Sequence, residues 1–260
     1  MKSHNINVFF ALLHRDILLL KRKLWSKLID GLFMCFIIVT TTGYLLPALG
    51  MPADMIGPMF VNIFFNIFFM FGFSLAVNMI NEIKYKGRLY YLLTLPVNKF
   101  WVFASYITTF MIEATIIIAP LLILGLFILQ NKIVFVQPHP ILFILIYLAS
   151  LLFFGIFMLF FSVHYTYNWF LDNVWSRRLS PMFSFGSTFF IWQQAFAITP
   201  LLAYAMLCNP LTYICEGLRF GFIGGNKFIN GWLCLIAIVS FTMTTMFFLN
   251  TSIKKRLDPV

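Results

Sequence analysis

Side chains able to do chemistry are scarce in this chain, and the most telling ones sit in apolar surroundings. Glu113 is flanked by Phe110, Met111, Ile112 and the run Ile116, Ile117, Ile118. A carboxylate in hydrocarbon is costly, so it needs a function or a partner. Two readings stay open: Glu113 lines a substrate path or pairs across a dimer, or it is a protonated, hydrogen-bonded tie between helices. Asn62 and Asn66 are four residues apart, which places both on one helix face; interhelical hydrogen bonds there contribute about 0.6 kcal/mol each, and a place on the pathway is the alternative. Glu216 and Arg219 bring charge into an apolar stretch, 182–228, that Pro200 and Pro210 also interrupt. Serines, histidines and acids occur without a nucleophile elbow or paired carboxylates. His164 has no Cys, Asp or Glu at ligand spacing, so no metal is expected. No Gly-x-x-x-x-Gly-Lys-Ser/Thr segment is present to cradle phosphates. The chain does not read as an enzyme.

The elements that must position these residues follow from composition. Of 260 residues, 62% are hydrophobic and 10% charged, with a mean hydropathy of +0.94. A soluble domain is about half apolar and a quarter charged, and a globule of this size has too little interior to hide the excess. The expected class is an all-α polytopic membrane protein. Stretches long enough to cross a bilayer lie at about 28–49, 57–80, 101–129, 141–163, 182–206 and 230–250, six transmembrane helices in a domain 28–260. The prolines in 182–228 forbid one straight helix. Broken, re-entrant helices dipping from the outer face before the last span are expected instead. The phenylalanine pairs Phe64-Phe65 and Phe68-Phe69 are expected to face lipid. Cys35, Cys208, Cys215 and Cys234 form no Cys-x-x-Cys pair, and no disulfide is expected.

The net charge of +10 resembles a nucleic-acid signature until the cations are placed. With the N-terminus in the cytoplasm, all but three of the 18 Lys and Arg residues lie inside; Lys132, Arg219 and Lys227 lie outside. That asymmetry puts both termini in the cytoplasm, and no nucleic-acid partner is expected. Residues 1–27 are too polar to span. Phe9, Leu13, Ile17, Leu20 and Leu24 share one face opposite His14, Arg15, Lys21 and Arg22, the pattern of an N-terminal amphipathic interface helix. It serves either as a lipid anchor or as a docking surface for a cytoplasmic partner.

Between the second and third spans the chain reads Glu82-Ile83-Lys84-Tyr85-Lys86-Gly87-Arg88-Leu89-Tyr90-Tyr91-Leu92-Leu93-Thr94-Leu95-Pro96-Val97. Leu89, Leu92 and Leu93 have helical spacing, and Pro96 ends the turn. An apolar stripe held outside the membrane is expected to touch something. Near the other end stands Asn209-Pro210-Leu211-Thr212-Tyr213, followed by Glu216-Gly217-Leu218-Arg219 and Gly224-Gly225. These two motifs, in this order and with this topology, resemble the permease subunits of ABC-2 type transporters over essentially the whole chain. The family's loop carries glutamate where Tyr90 stands, and many relatives carry Phe-Pro where this chain has Thr199-Pro200.

The resemblance implies a bacterial inner-membrane, multi-pass permease that exports a lipid, glycan or amphipathic drug-like substrate. It implies a homodimer of permeases and a separate ABC ATPase subunit that binds ATP and Mg, with no cofactor on this chain. Glu82, Lys84, Lys86, Gly87, Arg88, Leu89, Leu92, Leu93 and Pro96 would form the loop that couples to the ATPase. Asn209, Pro210, Thr212, Tyr213, Glu216 and Arg219 would form an outer gate motif. The alternative is an ATP-independent secondary transporter or channel, which would tend to show matching broken helices in both halves; only the second half has one.

Overall fold

The computed structural model describes residues 2–85, 87, 89, 91–92, 98–165 and 169–257. Among them there is no strand, and five helices are long and apolar enough to cross a membrane. This is the architecture of a polytopic membrane protein. Large apolar side chains such as Phe33, Phe36, Ile141, Ile236 and Phe247 are exposed along the bundle, a surface that water does not tolerate at this scale.

Helix α1 (Lys2–Thr40) continues without interruption through a wide turn, Thr41–Leu45, to Ala48. The expected interface helix and the first span are therefore one helix. Its buried stripe also differs from the expected face. Leu12, Asp16, Leu20, Gly31, Cys35 and Val39 are buried, whereas Ile17 is exposed. These positions are spaced by four or, once, eleven residues, whole numbers of turns, because the same side must stay against α3 (Lys99–Leu129) along its length. Helices α1 and α3 run parallel in constant register: Lys27 meets Glu113 and Cys35 meets Leu121, each 86 residues apart. Gly31 permits the approach, since a Cβ there would lie 2.9 Å from Ile117 Cγ2. At the far end the wide turn frees the Gly43 carbonyl, which accepts from Lys132 Nζ at 2.8 Å.

Helix α2 (Ile56–Lys84) is the centre of the bundle. Phe60, Phe64, Phe65, Phe68 and Phe69 are all buried, which corrects the expectation that the paired phenylalanines face lipid. They repeat at i, i+4 and i+5, i+9, so together they cover a broad face. Helix α4 (Pro140–His164) begins with a proline at its first turn, where the missing N–H costs nothing. The phenylalanines of α2 pack on Phe154 of α4 and on Phe183.

The expected fifth span at 182–206 is not a single helix. The chain climbs along α2 as a wide helix, α5 (Phe170–Leu179), that runs on into an α-helical turn, Ser180–Ser184. Phe170 stacks on Phe73, while Trp175 and Phe183 pack at a tilt on Phe69 and Phe65. It then turns over, with Ser187 in the left-handed region at φ +59°. Three short helices follow: α6 (Trp192–Ile198), α7 (Pro200–Met206) and α8 (Pro210–Phe222). Each break falls at a proline, and α7 and α8 meet at 94°. Pro200 and Pro210 thus interrupt the helix as their positions lead one to expect, leaving a bent pair of the kind that a broken span or a re-entrant loop shows. Helix α9 (Gly231–Leu257) closes the bundle against α4 and α8. Leu12, Leu89, Leu92, Val163 and Leu249 share one apolar cluster, so both chain ends and the α2–α3 connection lie at the same end of the bundle.

Candidate functional site

Two polar constructions stand out, one at each end of α2. The first is built on α8. Asn209 caps the helix by accepting from Leu211 N at 3.1 Å, and Pro210 occupies the first turn. The amide of Asn209 donates to the Met182 carbonyl at 2.6 Å, and Thr212 Oγ1 donates to that of Met206 at 2.8 Å. Both bonds fix α8 to the segments that precede it. One and two turns further on, Glu216 and Arg219 point inward with no solvent exposure at all.

Every polar atom of this pair has a partner. Glu216 Oε1 accepts from Ser187 Oγ (2.6 Å), Trp192 N (3.0 Å) and Arg219 Nη1 (3.0 Å). Its Oε2 accepts from Ile229 N at 3.4 Å. Arg219 Nη1 also donates to the Phe190 carbonyl (2.8 Å), Nη2 to Asn62 Oδ1 (3.0 Å) and the Thr188 carbonyl (3.2 Å), and Nε to the Pro58 carbonyl (3.3 Å). Arginine can make this set because its planar fork offers five donors. Burying the pair is tolerable only because the remaining lone pairs and protons are met. Arg219, expected among the outer loop cations, is thus an internal residue. Of the gate residues, Asn209, Pro210, Thr212, Glu216 and Arg219 belong to this construction. Tyr213 is turned away and packs on Phe241 of α9.

Asn62 joins the site, since its amide also donates to the Thr188 carbonyl. Asn66 does not; its amide donates back to the Asn62 carbonyl at 2.9 Å within α2. Glu113 lies elsewhere, in an ion pair with Lys27 that ties α3 to α1. The three polar residues read together as possible pathway groups are therefore not brought together. Glu113 has a charged partner on the same chain, and Lys27, expected in the segment ahead of the first span, supplies it.

The second construction is the α2–α3 connection. Glu82 Oε2 accepts from Leu89 N (3.0 Å) and from Tyr106 Oη of α3 (2.7 Å), and the Glu82 carbonyl accepts from Gly87 N (2.8 Å). A carboxylate on a free helical N–H satisfies an orphan donor and opposes the positive end of the turn. Leu89 and Leu92 are buried among Met79, Phe103, Tyr106 and Leu159. These two leucines of the apolar stripe are therefore taken up by the chain's own helices, and among the described residues Tyr85 and Tyr91 are turned outward, 69% and 62% exposed. Lys84 is exposed and its ammonium lies 5.1 Å from the Tyr85 ring. Lys86, Arg88, Leu93 and Pro96 lie outside the described residues.

Ser187, Thr188, Trp192 and Tyr106 had no part in the sequence reading of either site. The segment Gly186-Ser187-Thr188 carries the signal, a small polar turn inside apolar sequence. No group of three or more His, Cys, Asp or Glu converges among the described residues, and all four cysteines are free thiols. No protein-family model, curated protein or solved structure matches this chain.

Proposed function

We propose that the chain is the membrane subunit of an ATP-driven exporter of the ABC-2 permease type. In this reading it pairs with a second copy and with a separate ATPase that binds ATP and Mg, in a bacterial inner membrane with both termini cytoplasmic. It makes six crossings, the fifth formed by α5 and the re-entrant helices. The substrate is a lipid, a glycan or an amphipathic drug-like molecule moved outward.

The observation that carries this reading is the Glu82 clamp. A connection that only joined two spans would not need a carboxylate bonded at once to the loop backbone and to the next span. Because Leu89 and Leu92 are seated and Glu82 holds Tyr106, a push on Tyr85 and Tyr91 passes into α2 and α3 together. Packed helices transmit such displacement because interiors compress little. At its other end α2 carries Asn62 and the Pro58 carbonyl, both bonded to Arg219. Movement of α2 thereby reaches the re-entrant helices, which are the part of the bundle able to open. The ion pair of Lys27 and Glu113 couples α1 to the same motion through α3.

A photo-crosslinking amino acid tests this at two neighbouring positions. In native membranes, placement at Tyr91 is expected to crosslink to an ATPase-sized polypeptide, while placement at Leu89 is expected to crosslink only within the chain. Equal labelling of an outside protein from both positions, or from neither, would remove the basis for the proposal.

A further inference from the structure

We infer that a second copy of the chain docks on the open face of α2, with Asp30 of each copy paired to Arg177 of the other across a two-fold axis. This rests on the second-copy element of the proposed function and not on the ATPase. Asp30 of α1 and Arg177 of α5 are both exposed, and neither has a hydrogen bond or ion pair among the described residues. Their charged neighbours are already taken: Lys27 holds Glu113, and Arg178 donates to Tyr165 Oη with its guanidinium 5.6 Å from the Trp169 ring. Both free charges stand deep in the bundle. Lys27 lies 5.7 Å from the Phe71 ring, and Asp30 is one turn nearer the Ile56 end of α2. Trp175 packs on Phe69 and Phe73, and Phe183 on Phe65, which brackets Arg177. The two charges are therefore level with each other, within about one turn of Phe68. Phe68 is about 18 Å from Ile56 and about 24 Å from Lys84, the two ends of α2. Both charges thus lie at hydrocarbon depth, where an unpaired one facing lipid is costly.

Within one copy the two charges cannot meet. At about 100° per residue, Phe71 projects about 200° from both Phe69 and Phe73, so α1 and α5 flank α2 on opposite sides. Between those flanks α2 is uncovered. Met70, Ser74 and Asn78 are exposed at every fourth position, and Asn66 is half-buried beside them. Ser74 and Asn78 make this stripe polar, a poor surface for acyl chains. A two-fold axis along the bundle keeps every residue at its own depth and exchanges the flanks, so α1 of each copy faces α5 of the other. Opposite charges at equal depth then meet twice, and the polar stripes of the two α2 helices face each other across the axis. A partner of another kind would need its own cation and anion at the same depth and spacing. A second copy supplies both.

The test is complementation between two differently tagged full chains made together in one membrane, read as co-purification of one tag with the other. Unaltered chains are expected to co-purify. Asp30→Arg paired with itself, and Arg177→Asp paired with itself, are each expected to lose at least about tenfold, since every contact then sets like charges together. Asp30→Arg made with Arg177→Asp is expected to recover the unaltered level, because each altered residue then faces its opposite on the other copy. A contact within one chain could not be rescued in this way. Asp30→Asn and Arg177→Gln remove charge without reversing it, and each is expected to lower co-purification about fivefold; they carry the test if the reversed variants do not accumulate. A mixture of reversed variants that recovers nothing, or neutral variants that pair like the unaltered chain, would overturn the inference. An unaltered chain that pairs but is indifferent to all four substitutions would overturn this contact alone and leave the proposed function standing. An unaltered chain that stays single would overturn the contact and the second copy together.

Discussion

The guanidinium of Arg219 and the carboxylate of Glu216 lie 3.0 Å apart with no exposure, one turn of α8 between them. Around them converge main-chain groups of Pro58, Thr188, Phe190, Trp192 and Ile229, together with the side chains of Asn62 and Ser187. The pair is thus a knot that ties the broken helices to α2, at the only place in the described bundle where a charged residue pair is fully enclosed.

Removing one partner leaves the other charge buried and unpaired, which costs about 3–5 kcal/mol. Arg219→Met and Glu216→Gln are each expected to lower the midpoint of thermal unfolding of the detergent-solubilised chain severely. The double variant is expected to lose less than the sum of the two, because no orphaned charge remains. Arg219→Lys is expected to fail as a substitute, since an ammonium cannot reach Asn62, Pro58 and Glu216 at once. Strict additivity in this cycle would show that the two side chains do not act as a unit.

Lys27 and Glu113 are partly exposed, at 30% and 16%, and join two parallel helices rather than closing a core. Charge reversal at either position alone is expected to cost about 1–2 kcal/mol, measured as the loss of helix α1 protection in hydrogen exchange. The double reversal, Lys27→Glu with Glu113→Lys, is expected to restore it. Glu113→Gln, which keeps the shape but loses the charge, is expected to give a smaller loss of α1 protection than reversal does.

Two glycines with positive φ separate backbone strain from steric conflict. Gly50 has φ +98° and nothing within 4 Å of a Cβ position, whereas Gly224 has φ +77° and a Cβ there would lie 1.9 Å from the Gln137 carbonyl oxygen. Gly50→Ala is expected to cost only the left-handed conformation, about 1–2 kcal/mol. Gly224→Ala must in addition displace main chain and is expected to abolish the folded protein, as judged by a monodisperse size-exclusion peak.

The spans were legible because their lengths and apolar runs leave no other solution in a bilayer, and α2, α3, α4 and α9 lie where hydropathy places them. The break before α8 was legible from Pro200 and Pro210. Where the chain turns over was not: it depends on Ser187 at φ +59°, held by Glu216 from 29 residues away. Glu216 and Arg219 were visible as charges in an apolar stretch, but their partners come from α2 and the turn ahead of α6, which spacing cannot reveal. The buried face of α1 lies less than a turn from the one its own amphipathic pattern predicts, because packing on α3 sets it. The loop leucines were recognised as apolar stripe residues. Leu89 and Leu92 are buried because the fold brings Tyr106 and Glu82 beside them.

Glu82 is the residue on which the loop geometry depends. Glu82→Ala removes the acceptor of Leu89 N and of Tyr106 Oη, and hydrogen bonds to a charged group are worth about 1.5–3 kcal/mol. The Leu89 and Tyr91 amides are expected to exchange at least about tenfold faster, with Tyr106→Phe giving a smaller effect in the same direction.

The proposed function requires an engine on another polypeptide. The direct measurement is affinity purification of the full chain from its native membrane in mild detergent, with the bound proteins identified by mass spectrometry. A soluble ATPase carrying a Gly-x-x-x-x-Gly-Lys-Ser/Thr motif is expected, retained by the unaltered chain and lost with Tyr85→Asp/Tyr91→Asp while the chain itself stays folded. Purification of a stable, transport-active chain with no ATPase, or an ATPase indifferent to those two substitutions, would contradict it.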